Sequence, residues 1–156
     1  MNSSPELVVF TLDKQPYALR IGVVERVVRA VEVTPLPKAP EIVLGMINAQ
    51  GSIVLVVNVR KRFQLPEREV ELNDQFIIAR TSRRTVALVV DAVNDVVLCA
   101  EAQVVASEKI LPGLEHVEGV LKLPDGMTLL HDLDQFLSLD EEQALAEAMK
   151  PEETTP

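Results

Sequence analysis

Gly45-Met-Ile-Asn-Ala-Gln-Gly-Ser-Ile-Val-Leu-Val-Val-Asn-Val-Arg-Lys-Arg-Phe63 is the stretch that decides the fold. Two apolar runs, Met46-Ile47 and Ile53 to Val57, flank a polar Asn-Ala-Gln-Gly-Ser turn, and Gly51 can take the positive φ that such a turn needs. The stretch predicts a β-hairpin. It recurs as Gly119-Val-Leu-Lys-Leu-Pro-Asp-Gly-Met-Thr-Leu-Leu-His-Asp-Leu-Asp-Gln-Phe136, with an opening glycine, a short strand, a turn at Gly126, a longer apolar strand and an amphipathic exit closed by Phe. The upstream flanks also superpose. Tyr17 to Val28 runs parallel to Val86 to Val97, with Ala18/Ala87, Leu19/Leu88, Val24/Val93, Val27/Val96 and Val28/Val97 identical. Agreement in two segments and in the same order predicts a small barrel built twice.

Composition supports a sheet protein. Of the 156 residues 47% are hydrophobic but only 3% are aromatic, with no Trp, so branched aliphatic side chains must fill the interior. A chain of this length buries roughly 70% of its unfolded surface. Asp and Glu number 24 against 15 Lys and Arg, a formal net charge of −9 that repels polyanions and argues against nucleic acid as a partner. Apolar runs such as Ile53 to Val57 fall far short of the ~20 residues of a membrane helix, and Met-Asn-Ser-Ser-Pro lacks a signal pattern. The expectation is a cytoplasmic protein with no membrane insertion. The single cysteine, Cys99, reads as a buried thiol at a strand end.

Outward from the main hairpin, Glu6 to Leu12 and Tyr17 to Ile21 read as strands around the turn Asp13-Lys-Gln-Pro16, and Gly22 to Ala30 as a turn passing into a strand. Three prolines in Thr34 to Pro40 predict an extended surface loop. Glu41 to Leu44 suggests one helical turn, and Gln64 to Asn73 the connection between copies. Asp74 to Arg80 opens the second copy, followed by a turn at Thr81 to Arg84 and strands at Thr85 to Val90 and Ala92 to Cys99. Ser107 to Glu115, with Pro112-Gly113, reads as a mobile loop, and Asp132 to Leu137 as a helix start. Ser138-Leu-Asp-Glu141 offers a capping box for a C-terminal helix over 139–150, with Ala144, Leu145, Ala148 and Met149 on one face against the barrels; 151–156 reads as a disordered tail. Residues 1–156 thus form one domain with approximate halves 7–63 and 74–138, built either from consecutive halves or by exchange of terminal strands.

The chain carries little chemistry. No glycine cluster cradles a phosphate, His116 and His131 fall in different segments, and Ser107 with His131 and Asp132 lacks a nucleophile-turn motif. No catalytic, metal or cofactor residue is assigned. Glu67, Glu69 and Glu71 read as a solvated connector. The cationic groups Arg60-Lys61-Arg62 and Arg83-Arg84 are either solvated surface or a patch that steers an acidic partner.

Phe10-Thr-Leu, Tyr17-Ala-Leu-Arg-Ile, Thr34-Pro-Leu-Pro-Lys-Ala-Pro, Gly45-Met-Ile-Asn-Ala-Gln-Gly, Val56-Val-Asn-Val-Arg and Val89-Val-Asp-Ala-Val together resemble the CheW-like family of chemotaxis coupling proteins, over about residues 7 to 138. The resemblance implies two five-stranded SH3-like β-barrels with a shared apolar seam. It implies a non-enzymatic adaptor without cofactors, joining the cytoplasmic tip of a chemoreceptor to the regulatory domain of a CheA-type histidine kinase at membrane receptor arrays. By the same resemblance Val24, Arg26, Gln50, Asn58 and Arg60 are the partner-binding candidates, with the receptor at a groove near them and the kinase on the second half. The family pattern has Arg where this chain has Gln50, Asp where it has Asn58 and Glu where it has Arg26, so an ion pair open to relatives cannot form here. A divergent member with its own cognate partners is therefore expected. The alternative is a small-ligand sensor that uses the seam as its pocket.

Overall fold

The computed structural model describes residues 6–63, 65–98, 105–106, 117–123, 126–133 and 139–148. Strands β1 (Glu6–Leu12) and β2 (Gln15–Arg20) form a hairpin whose two turn residues, Asp13 and Lys14, both have positive φ. Such a turn matches the right-handed twist of its strands, which is why two non-glycine residues are tolerated there. A 3-10 turn at Ile21–Val23 leads into β3 (Val24–Arg29). The stretch that opens the sequence reading becomes β4 (Val43–Ala49), β5 (Ser52–Val57) and the short helix α1 (Val59–Arg62). Its turn is tighter than expected. Asn48 and Ala49 belong to the strand, leaving Gln50 (φ +54°) and Gly51 (φ +89°) as the turn, with Asn48 Oδ1 accepting from the Gly51 N–H at 2.8 Å. Nor does a helical turn occupy 41–44, because Val43 already pairs with Val57.

The second copy supplies β6 (Gln75–Arg80), β7 (Thr85–Val90), β8 (Ala92–Leu98), a two-residue β9 (Val105–Ala106), β10 (Val117–Leu123) and β11 (Gly126–His131). Helix α2 (Leu139–Ala148) follows, tied to α1 by an Arg62–Glu141 ion pair. Ala144 is exposed, which removes it from the packed face that its spacing suggested. Cys99, the 107–115 loop with Ser107, His116, the 134–137 segment, Met149, Lys150 and the tail lie outside the described residues.

The strands assemble into two SH3-like barrels, one with strand order β8-β1-β2-β11-β10-β9 and one with β3-β6-β7-β5-β4. The short β9 makes the first six-stranded rather than five-stranded. The two orders correspond term by term. Parallel pairing of Leu130 with Ala18 in one barrel matches that of Val56 with Ala87 in the other. Bulges fall at equivalent places, between Val9 and Phe10 facing β8 and between Val24 and Arg26 facing β6, and again at Val43/Gly45 and Val117/Gly119. The duplication is therefore structural, and the copies are interleaved. Strands β1 and β2 of the first copy join β8, β10 and β11 of the second, while β6 and β7 join β3, β4 and β5.

Interleaving explains why these strands read as continuous apolar runs, since strands buried on both faces do not alternate. In β1, Leu7 and Val9 face the interior of their own barrel with Ala18, Leu121 and Leu130. Phe10 and Leu12, with Tyr17 and Leu19 of β2, face the seam, where they meet Ile77, Ala79, Val86 and Leu88 of β6 and β7. The second barrel's interior holds Ile47, Val54, Val56, Phe76, Ile78 and Ala87. Among the described residues these side chains pack the seam, and a recess of about 310 Å³ opens at its margin, lined by Gly22, Val23, Arg80 and Leu133.

Gly45 is required by this packing. A Cβ on it would lie 2.2 Å from the Thr34 carbonyl oxygen, because Thr34 and Met46 exchange both backbone hydrogen bonds. Gly45→Ala is expected to destabilise the protein by about 3 kcal/mol, lowering Tm by roughly 10 °C in thermal melts. Gly22→Ala, with nothing within 4 Å of the added methyl, is the matched control and should change stability by less than about 0.5 kcal/mol.

Candidate functional site

The five candidate residues divide into two groups. Arg26 and Gln50 come together. Both line an open cleft of about 580 Å³ at one end of the β3–β7 barrel, with Val54 and Ile78 as its floor and Glu25, Ile53 and Arg84 around its rim. Strand β3 brings Arg26 there because the bulge leaves Glu25 unpaired and sets Arg26 opposite Ile78. The β4–β5 turn delivers Gln50 in a left-handed conformation that a side-chain-bearing residue seldom adopts. The Arg26 Nε–H is buried and has no hydrogen-bond acceptor among the described residues, a state that costs about 1–3 kcal/mol.

Val24, Asn58 and Arg60 serve the fold. Val24 pairs with Ala79 and packs on the seam cluster. Asn58 is buried at the N-terminus of α1, where its Oδ1 accepts from the Lys61 backbone N–H at 3.1 Å and its Nδ2 donates to Glu67 Oε1 at 2.9 Å. Aspartate, the residue of the family pattern, could cap the helix equally well but could not donate to Glu67.

Arg60 is 8% exposed and stands at the centre of a polar network. Its Nη1 lies 2.7 Å from Asp13 Oδ1 in the β1–β2 turn and donates to the Pro66 carbonyl at 2.9 Å. Its Nη2 donates to both Asp91 oxygens, at 2.8 and 2.9 Å. Asp91 also accepts from the Asp13 backbone N–H at 2.9 Å and from Arg68 Nη2 at 2.8 Å, and Arg68 clasps the buried Asp74 through both terminal nitrogens. Burial alone would raise the Asp91 pKa, but the Asp13 amide and the two guanidiniums outweigh it and hold the carboxyl below its ordinary 3.8.

The cationic run is therefore not a free patch. Arg60 is neutralised as described, Lys61 by Glu41 at 3.0 Å with Glu67 at 3.7 Å, and Arg62 by Glu141. His131, a candidate only in a rejected triad, is buried and stacks on Phe63 with ring centroids 4.1 Å apart, next to Tyr17 at 5.4 Å. Among the described residues no group of three or more His, Cys, Asp or Glu could hold a metal ion, and no helix is long and apolar enough to cross a membrane.

Two interleaved SH3-like barrels packed along one seam, with an open cleft on the β3–β7 barrel, define the class of fold. The sequence model of the CheW-like domain matches residues 6–141, and the chain belongs to that family. It is 29% identical over 145 residues to the chemotaxis protein CheW of Rhizobium meliloti, covering 92% of this chain and 94% of that one. It is 27% identical over 147 residues to the chemotaxis protein CheW of Treponema pallidum, covering 90% and 86%. The crystal structure of the scaffolding protein TtCheW from Thermoanaerobacter tengcongensis superposes with a TM-score of 0.79 at 30% identity, over 87% of this chain and 94% of that one.

Two predictions test the network. A carboxyl with a depressed folded pKa contributes stability above its unfolded pKa and loses it as pH falls through the folded value. Asp91→Asn should therefore cost about 2 kcal/mol at neutral pH and flatten the loss of stability as pH falls below the ordinary carboxylate value, read by urea titration at each pH. Asn58→Asp keeps the cap but sets two carboxylates together, so it should destabilise by about 1 kcal/mol. Most of that loss should return when Glu67→Gln is added.

Proposed function

We propose that this protein is a non-enzymatic adaptor of bacterial chemosensory signalling. It couples a chemoreceptor, through the receptor's cytoplasmic tip, to a CheA-type histidine kinase, through the kinase's regulatory domain. The observation that carries this reading is the correspondence of nearly the whole chain, in both sequence and architecture, to CheW proteins, one of them described as a scaffold. The interior supports the same reading. Phe10, Tyr17, Ile77 and Leu88 pack the seam between the barrels, which suits a protein that acts through its outer surface.

The Arg26–Gln50 cleft is the receptor-facing site in this proposal, and the second half of the chain carries the kinase contact. Each contact is small, on the order of 1,000 Å², and strength comes from many contacts made at once in an array. The protein works in the cytoplasm and reaches the membrane through its partners. The replacement of Glu by Arg26 and of Arg by Gln50, relative to the family pattern, suits partners of its own rather than those of other family members.

Calorimetric titration of the full chain against its cognate kinase regulatory domain and, separately, its receptor-tip fragment tests the reading. Saturable binding to both, without turnover of either, is expected. Heats no larger than dilution with both folded partners would remove the adaptor assignment.

A further inference from the structure

We propose that copies of this chain associate head to tail through the β3–β7 barrel, the Glu71–Asp74 turn of one copy seating Leu72 in the cleft beside Ile53 of the next. The two surfaces lie at opposite ends of one strand. β6 (Gln75–Arg80) begins directly after the Glu71–Asp74 turn and runs into the Thr81–Arg84 turn, so six extended residues, roughly 20 Å, separate them. Each end carries an apolar side chain that the fold leaves in solvent. Leu72 is 87% exposed at the first end and Ile53 is 63% exposed at the second, where it lines the open cleft with Val54, Ile78, Arg84 and Thr85. One end thus offers an apolar knob and the other an apolar-floored recess, on the same molecule.

The projecting turn is fixed before any contact is made. The Asp74 N–H donates to the Glu71 carbonyl at 3.0 Å, the Glu71 N–H donates to Asp74 Oδ2 at 2.8 Å, and Arg68 clasps the same carboxylate. The Asp74 carbonyl in turn accepts from the Ala30 N–H at 3.0 Å, which ties the turn to the end of β3. A side chain presented on such a turn binds without the cost of ordering its segment. The ends also differ in charge. Glu32, Glu69 and Glu71 are exposed around the first, against Arg29, while Arg68 is drawn onto Asp74 and Asp91. Arg80 and Arg83 are exposed at the second, against Glu25. Unlike ends attract and like ends repel, which favours head-to-tail pairing in a chain whose net charge of −9 opposes indiscriminate contact. The contact is heterologous, so each copy can seat one neighbour and be seated by another. The adaptor reading gives the same cleft to the receptor, so a seated copy and a docked receptor exclude each other; the association itself involves no other protein and does not depend on that reading.

Sedimentation velocity of the full chain alone, from about 10 µM to about 1 mM, tests the proposal. A reversible rise in mean mass, half complete on the order of 100 µM to 1 mM, is expected of a contact this small. Leu72→Lys and Ile53→Asp each disable one end at a solvent-exposed position, and each variant alone should stay monomeric over that range. Mixed in equal amounts, the two should form a one-to-one dimer that grows no further, because the mixture keeps one intact turn and one intact cleft. Glu71→Lys, which leaves Leu72 in place, should weaken association about threefold or more. Leu72→Ser and Ile53→Ser replace any variant whose thermal melt shows a damaged fold. A monomer at the highest concentration would overturn the inference. So would association that survives both L72K and I53D, or a mixture of the two that stays monomeric; none of these results touches the adaptor reading, since neither kinase nor receptor is present.

Discussion

The β1–β2 hairpin has almost no solvent-facing side, and this constraint fixes the position of everything else. Its Leu7 and Val9 need one partner layer, and its Phe10, Leu12, Tyr17 and Leu19 need another. A single small barrel offers only one. The hairpin satisfies both by entering the second copy's barrel, pairing with β8 on one side and with β11 on the other, while its outer face closes on β6 and β7. Those two strands stand in the reciprocal position, so neither barrel is complete without strands from the other copy. Separation of the barrels would expose the seam, and separation of the two copies would break both sheets, which makes the pair a single cooperative unit.

Exchange creates an electrostatic problem at the crossing, and the Arg60 network resolves it. The β1–β2 turn ends beside the β7–β8 corner, where Asp13 and Asp91 would otherwise bring two carboxylates together. Arg60 lies between them, and Arg68 closes the far side of Asp91. A partly buried ion cluster of this kind adds little net stability over a well-packed apolar one, yet removing Arg60 leaves Asp13 without its ion-pair partner and Asp91 with one guanidinium fewer. Its physical effect is positional: it pins α1, the first hairpin, the connector and the second copy's corner in one arrangement.

The hairpin repeat could be read in the sequence because its signals are local. Gly45, Gly51, Gly119 and the apolar runs act within a few residues, and the identities at Ala18/Ala87 and Val24/Val93 mark equivalent positions in the two strand ladders. The exchange was not legible for the same reason. Two copies with near-identical strands offer near-identical pairings, and only the summed burial of both faces selects the interleaved one. The structural partners of Arg60 and Asn58 were hidden in a related way, since a charged or amide residue shows its long-range partners only in the folded chain. Those of Arg60, Asp13 and Asp91, lie 47 residues before it (60 − 13) and 31 after it (91 − 60). Arg26 and Gln50, by contrast, were linked through the family pattern and do share one cleft.

A rigid, filled interior has a consequence for how such a protein carries a signal. With Phe10, Leu19, Ile77 and Leu88 close-packed at the seam, the chain has little slack through which binding at one end could reshape the other. A well-packed seam holds the outer faces of the two barrels in one arrangement, and those faces are not identical. Duplication supplies those faces. Ile53 and Met127 occupy equivalent strand positions, opposite Asn48 and Lys122, and are 63% and 57% exposed, so the two barrels present the same geometry with different side chains. Arg26 and Gln50 can diverge without disturbing that frame, because neither residue belongs to the seam or to the Arg60 network.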